Sequence, residues 1–131
     1  DGIHIHPAVI RMLYKLFGKE RMILISDSMR ATCLSDGEYD FGGQTIKVTN
    51  GVARTLDGAI AGSTSTLMDC VRKAVEFGIP EEDSFYMASR TPAVLMNVNK
   101  GLISPGYDAD LLTVNDDLSL DRVIISGNIF E

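Results

Sequence analysis

Sulfur and imidazole are scarce in this sequence, and positive charge is in deficit. The 131 residues hold two cysteines and two histidines. Cys33 and Cys70 share no CxxC or His–Cys spacing, which removes the common redox and structural zinc motifs. A reduced, cytoplasmic compartment is the expectation, with a disulfide between the two left open. Twelve bases stand against eighteen acids, a formal net charge of -6. A general binder of nucleic acid or of acidic membrane would be basic, so neither is expected as a partner. No apolar run approaches the roughly 18 residues of a membrane helix. No basic-then-apolar leader opens the chain, so no secretory signal is expected. There is no internal repeat and no low-complexity stretch. What remains is ordinary globular composition, 45% hydrophobic and 23% charged, in a chain long enough to bury a core. The chain opens at Asp1 without an initiator Met, and its first six residues read as the inside of a strand.

Strand and helix signals alternate over the first two thirds of the chain, and strands alone follow. Pro7 suits the first turn of a helix, Val9, Ile10, Leu13, Leu16 and Phe17 recur at helical spacing, and Gly18 is a natural stop. The run Met22-Ile23-Leu24-Ile25 lacks polar alternation, which predicts a parallel strand buried on both faces. The opening therefore reads as one βαβ unit. Turn dipeptides then crowd the chain at Asp36-Gly37, Gly42-Gly43, Asn50-Gly51 and Asp57-Gly58. Asn50-Gly51 between two β-rich runs predicts a type I′ hairpin, part of an antiparallel excursion over about 36–60. A helix is predicted from a Ser63 or Thr64 cap, with Leu67, Val71, Ala74 and Val75 on its inner face. A second follows with Glu81, Glu82 and Asp83 in its first turn, and a short third starts at Pro92. Strands are expected at Leu111-Val114 and Val123-Ile125, with Ser126-Gly127-Asn128 as the last turn.

Few residues could carry chemistry. His4 and His6, two apart in an extended segment, would share one face and could clasp a metal, although no third ligand is evident nearby. Asp27 stands at the end of a buried parallel strand, where such sheets and barrels place their active sites; it could equally cap the following turn. Gly62-Ser63-Thr64 could form a nest of backbone donors at a helix start, or simply a cap. Cys33 has no histidine placed to activate it, and Met68, Met87 and Met96 read as core filler.

Several segments together resemble the N-acetylglucosamine-6-phosphate deacetylase family of metal-dependent amidohydrolases. They are Asp1-Gly2-Ile3-His4-Ile5-His6-Pro7, Leu24-Ile25-Ser26-Asp27-Ser28-Met29, the loop from Asp36 to Gln44, and Ile60-Ala61-Gly62-Ser63. Two more, Met87 to Ala93 and Lys100 to Leu111, are similar too, the last being a generic amidohydrolase tail. Ser26 and Ser28 depart mildly from that pattern, which carries Thr and Ala there. The resemblance implies an α/β fold: a TIM barrel with a small β-sandwich built from both chain ends. This chain would begin at about the seventh barrel strand, with residues 1–100 closing the barrel and 101–131 supplying sandwich strands. It implies hydrolysis of an N-acetyl amide on an amino-sugar phosphate, with a divalent metal, zinc foremost. A barrel remnant would present an unpaired strand edge and an apolar helix face, so a homo-oligomer such as a dimer is expected. The glutamate and two histidines that hold the metal, and the phosphate-binding arginine, would lie upstream, so no residue here is expected as a metal ligand. Asp27 would take a proton from the attacking water and return it to the leaving amine. Asp1, Gly2, Ile3, His4, Ile60, Ala61 and Gly62 would face the substrate. The isolated chain would then be inactive; the alternatives are an amidohydrolase of different substrate, or a non-catalytic associating domain.

Overall fold

The computed structural model describes residues 1–130 as four helices and two antiparallel sheets. Helix α1 (Pro7–Phe17) starts where proline favours it and ends at Gly18, whose φ of 69° suits glycine. The first sheet is a meander of β1 (Gly37–Phe41), β2 (Gln44–Thr49), β3 (Val52–Thr55) and β4 (Ile60–Ser63), each strand beside the next. Both tight turns are of the mirror-image type. Gly42 and Gly43 have φ of 62° and 84°, and Asn50 and Gly51 have φ of 51° and 70°. Helices α2 (Leu67–Glu76), α3 (Glu81–Ala88) and α4 (Arg90–Leu95) follow. The second sheet is β5 (Leu111–Val114), β6 (Leu120–Ile125) and β7 (Asn128–Phe130).

Two apolar clusters hold these elements. Ile46, Val48, Ala53 and Ala61 alternate inward from the first sheet and close over Ala31, with Met29 and Tyr39 at the margin. Ala74, Ile79 and Met87 form the second, joined by Ile10 and Tyr14 of α1 and by Met22 and Leu24.

Several expectations are corrected. Residues 1–6 and Met22-Ile25 form no ladder among the described residues; in the second run the Leu24 N–H instead donates to the Met87 carbonyl, at the end of α3, at 3.1 Å. Ile25 is 71% exposed instead of buried on both faces. The expected βαβ unit is therefore absent as paired structure. The antiparallel excursion runs to Ser63, so Ser63 and Thr64 cannot cap a helix. Thr66 caps α2 instead, in a reciprocal box with Asp69 three residues on. Leu67 is consequently half-exposed, while Cys70 joins Val71 and Ala74 inside. The third of these helices begins at Arg90, two residues before Pro92. Asn128 opens β7 instead of ending a turn, and Met96 is 70% exposed where Met87 is fully buried.

Candidate active site

Asp1 opens a tight local turn. Its Oδ1 accepts the backbone N–H of Ile3 at 3.1 Å and of His4 at 3.3 Å, the self-bonding that makes aspartate a turn former. This turn replaces the extended segment expected at residues 1–6, so His4 and His6 do not share a strand face. His4 donates Nδ1–H to Asp1 Oδ2 at 2.6 Å. His6 does a different job: its Nδ1 accepts the Ala8 N–H at 3.2 Å and caps α1. Gly2 lies against the Phe77 ring, where a Cβ would come within 2.7 Å of the ring edge. Ile3 is exposed beside it.

The other ring nitrogen of His4 faces Asp27, with Nε2 at 4.0 Å from Asp27 Oδ2. Asp27 has φ 51°, a left-handed conformation that aspartate tolerates better than most residues. Two backbone bonds and one hydroxyl hold it there. The Ser63 N–H donates to the Asp27 carbonyl at 2.9 Å, and the Met29 N–H donates to the Ser63 carbonyl at 3.0 Å. The Thr32 hydroxyl reaches the same Ser63 carbonyl at 3.2 Å. Ser28 and Ser63 thereby form the one parallel bridge among the described residues. The Asp27 carboxylate takes no hydrogen bond among those residues and is 63% exposed; the turn-capping role left open for it is filled by Ser26, whose hydroxyl accepts the Ser28 N–H. Gly62, with φ 96°, passes so close that a Cβ would sit 3.4 Å from the Asp27 carbonyl and 3.7 Å from its Oδ2. Ala61 is buried in the sheet core and Ile60 is half-buried.

The site thus gathers Asp1, His4, Asp27 and Gly62, with Ile60 and Ala61 leading into it. Gly62-Ser63-Thr64 is no helix-start nest, because Gly62 and Ser63 belong to β4 and the Ser63 N–H is committed to Asp27. Among the described residues no three His, Cys, Asp or Glu side chains gather as a metal site. His4 and His6 turn their Nδ1 atoms to different partners, Asp1 and the start of α1, so the two rings do not clasp one ion between them. Cys33 is exposed, while burial pushes the Cys70 thiol up and its Sγ rests near the Ile25 carbonyl. Sequence reasoning missed the work of Asp1, Ser63 and His6. The Asp-Gly-x-His order was the available signal for the first, since an aspartate two and three residues before free amides invites that turn. Nothing local marked Ser63, whose role depends on a partner thirty-six residues away in sequence.

An open apolar groove runs from the Ile23 to Asp27 segment to Leu67 and Pro92, so Asp27 has free approach on that side. An exposed, unbonded carboxylate beside an oriented imidazole can move protons for a ligand that enters there.

Comparison with known proteins identifies relatives across the whole length of the chain. The amidohydrolase family model matches residues 1–130. An N-acetylglucosamine-6-phosphate deacetylase of Lysinibacillus sphaericus is 38% identical over 98% of this chain and 34% of its own length. A putative N-acetylgalactosamine-6-phosphate deacetylase of Escherichia coli K12 is 34% identical over 98% of this chain and 78% of its own. A mutant N-acetyl-D-glucosamine-6-phosphate deacetylase of Mycobacterium smegmatis, solved with N-acetyl-D-glucosamine-6-phosphate, superposes with a TM-score of 0.90. That structure is 35% identical, covering 98% of this chain and 35% of that one. Apart from the shorter Escherichia coli K12 protein, the chain spans about a third of the length of the relatives it matches.

Proposed function

The chain belongs to the amidohydrolase family, and from that premise we propose that it is the C-terminal portion of an enzyme that removes the N-acetyl group of N-acetylglucosamine 6-phosphate. Residues 1–100 would complete a TIM barrel that begins outside this chain, and 101–131 would add strands to a small β-sandwich. The observation that carries the reading is Asp27: a carboxylate free of hydrogen bonds among the described residues, held in a left-handed conformation by Ser63 and set 4.0 Å from His4. Strained backbone of this kind costs on the order of 1–3 kcal/mol and gathers at functional sites.

The chemistry follows from what the carboxylate can do. Water attacks the acetyl carbonyl and gives its proton to Asp27. The C–N bond then breaks, and Asp27 returns that proton to the nitrogen, leaving acetate and glucosamine 6-phosphate. One carboxylate performs both transfers because the first step charges it for the second. His4 and the Ile60 to Gly62 segment would hold the sugar. A divalent metal, zinc foremost, activates water in this reaction class. Its ligands and the phosphate-binding cation would come from outside this chain, as the family resemblance implies, and among the described residues no three His, Cys, Asp or Glu side chains gather as a metal site.

Activity should therefore need the longer protein, and the 131 residues alone should release no acetate. We place the enzyme in the cytoplasm, as a homodimer or larger assembly. A monodisperse monomer of the longer protein in light scattering would count against the assembly. The decisive test is Asp27→Asn in the longer protein. Asparagine keeps the size and tolerates the same backbone but accepts no proton, so kcat should fall by about a hundredfold or more with KM and fold little changed. Near-normal turnover would remove Asp27 from the chemistry. Relatives named for both epimeric sugars lie at similar identity, 38% for a glucosamine and 34% for a galactosamine enzyme. The same assay should therefore be run on both 6-phosphates, and a higher kcat/KM on the galactosamine compound would move the substrate assignment.

A further inference from the structure

We propose that Asp1 is a positioning residue: it fixes the ring orientation and the tautomer of His4, so that Nε2 is presented bare toward Asp27 and the bound sugar. The proposal rests on the reading of the site given above. Two carboxylates flank the same imidazole and are used in opposite ways. The Asp27 side chain is 63% exposed and unbonded, whereas that of Asp1 is 11% exposed and has both oxygens occupied. Asp1 Oδ1 takes the Ile3 and His4 amides, and Oδ2 takes His4 Nδ1 at 2.6 Å. An ionised carboxylate only accepts, so Nδ1 must carry the proton, and the neutral ring then has its lone pair on Nε2.

The turn gives the pair little room to move. Carboxylate and ring are three residues apart on a backbone pinned by the two amide bonds, and Gly2 between them is packed on Phe77 with no space for a Cβ. A ring held this way offers substrate a hydrogen-bond acceptor, the complement of a sugar hydroxyl. Asparagine at position 1 has one acceptor oxygen for two duties. It either abandons the amides or turns its NH2 to Nδ1, and the second choice shifts the ring proton to Nε2. Glutamate keeps two acceptors at the cost of one methylene.

Ring nitrogen shifts of His4, read by 15N NMR on this chain at a pH where the ring is neutral, test the geometry without any assay. A protonated Nδ1 with a bare Nε2 is expected, and the reverse tautomer or a rapidly averaging mixture overturns the proposal. Kinetics of the longer protein test the consequence. Asp1→Asn should raise KM by about tenfold or more, the loss of one charged hydrogen bond, with kcat within about threefold. Asp1→Glu should recover part of that loss. A residue that merely tied down the turn would lower thermal stability and leave both the tautomer and KM alone. Should Asp1→Asn fail to fold, the spectrum of the unsubstituted chain still decides. Absence of deacetylation by the unsubstituted longer protein would sink the functional reading and leave the His4 tautomer as a separate result.

Discussion

Residues 37–63 hold ten apolar residues in twenty-seven and residues 1–30 fifteen in thirty, and the two regions dispose of them differently. In the first region each strand pairs with its sequence neighbour, and Ile46, Val48 and Ala53 are almost wholly buried between the meander and Ala31. In the second region α1 has no fully buried residue, and Val9, Met12, Leu16 and Phe17 are exposed, as is Ile25 in the run beyond it. A hairpin closes a loop of a few residues and brings its own partner. A parallel strand needs a partner from across a crossover, and residues 22–25 have none in this chain. The difference teaches where the proposed functional residues stand. Asp1, His4 and Asp27 belong to the incompletely covered region, and Asp27 is fastened to the self-sufficient one through Ser63.

The sharpest way to break the comparison is to truncate the same side chain in both regions. Ile46 is completely buried and Ile25 is 71% exposed. Ile46→Ala should cost about 2–5 kcal/mol in urea unfolding of this chain, the transfer loss plus a cavity. Ile25→Ala should stay within about 0.5 kcal/mol, as surface changes do. Equal losses would mean that residues 22–25 are covered in solution, by a second copy or by repacking, and would dissolve the contrast.

A smaller effect probes the seam between the regions. Gly62 and Gly51 both have positive φ, 96° and 70°, so alanine is strained at each by about 1–2 kcal/mol. Their surroundings differ. A Cβ on Gly51 would meet only the Thr64 hydroxyl at 3.8 Å, whereas one on Gly62 would press on the Asp27 carbonyl at 3.4 Å. Gly51→Ala should therefore lower the unfolding midpoint and leave turnover of the longer protein intact. Gly62→Ala should give a similar stability loss and in addition lower kcat by displacing Asp27. Equal turnover in the two variants would show that the seam does not position the carboxylate.

The same division explains what could be read from the amino acids alone. The Asn50-Gly51 hairpin, the Pro7 start of α1 and the β5 strand at Leu111–Val114 were legible because each is dictated within a few residues. The expected strands at 1–6 and 22–25 were not realised, because their ladders depend on partners this chain does not supply. The start of α2 moved because Thr66 and Asp69 form a reciprocal cap, while Ser63 is bound into β4 and the Thr64 hydroxyl is taken by the Gly51 carbonyl. Asp27, His4 and Gly62 were singled out from the residue pattern and do converge in space. The histidine pair was not legible as it stands: one ring serves Asp1 and the other a helix end, a distinction set by the Asp1 turn and not by residue spacing.

Where apolar cover is thin, polar clamps hold residues 1–30, and pH should expose the one beneath α1. Asp83 of α3 receives Lys19 Nζ at 2.7 Å and the Tyr14 hydroxyl, tying the C-terminal end of α1 and the turn after it to α3. The Lys19 ammonium first, and then the Tyr14 hydroxyl, hold the Asp83 carboxyl below its ordinary range. A carboxyl lowered in the fold and free in the unfolded chain lends stability that is complete above the ordinary value near 3.9. That stability drains away as the pH falls from there through the lower folded value. The urea midpoint of the unsubstituted chain should therefore drop more steeply below about pH 4 than that of Asp83→Asn. At neutral pH Asp83→Asn should cost about 1 kcal/mol or less, because both partners of the ion pair keep some contact with water. Parallel acid limbs in the two proteins would mean that the clamp contributes nothing and that α1 is held by Ile10 and Tyr14 packing alone. A steeper limb in the unsubstituted chain would mean that charge supplies part of the cohesion which buried side chains supply in the sheet.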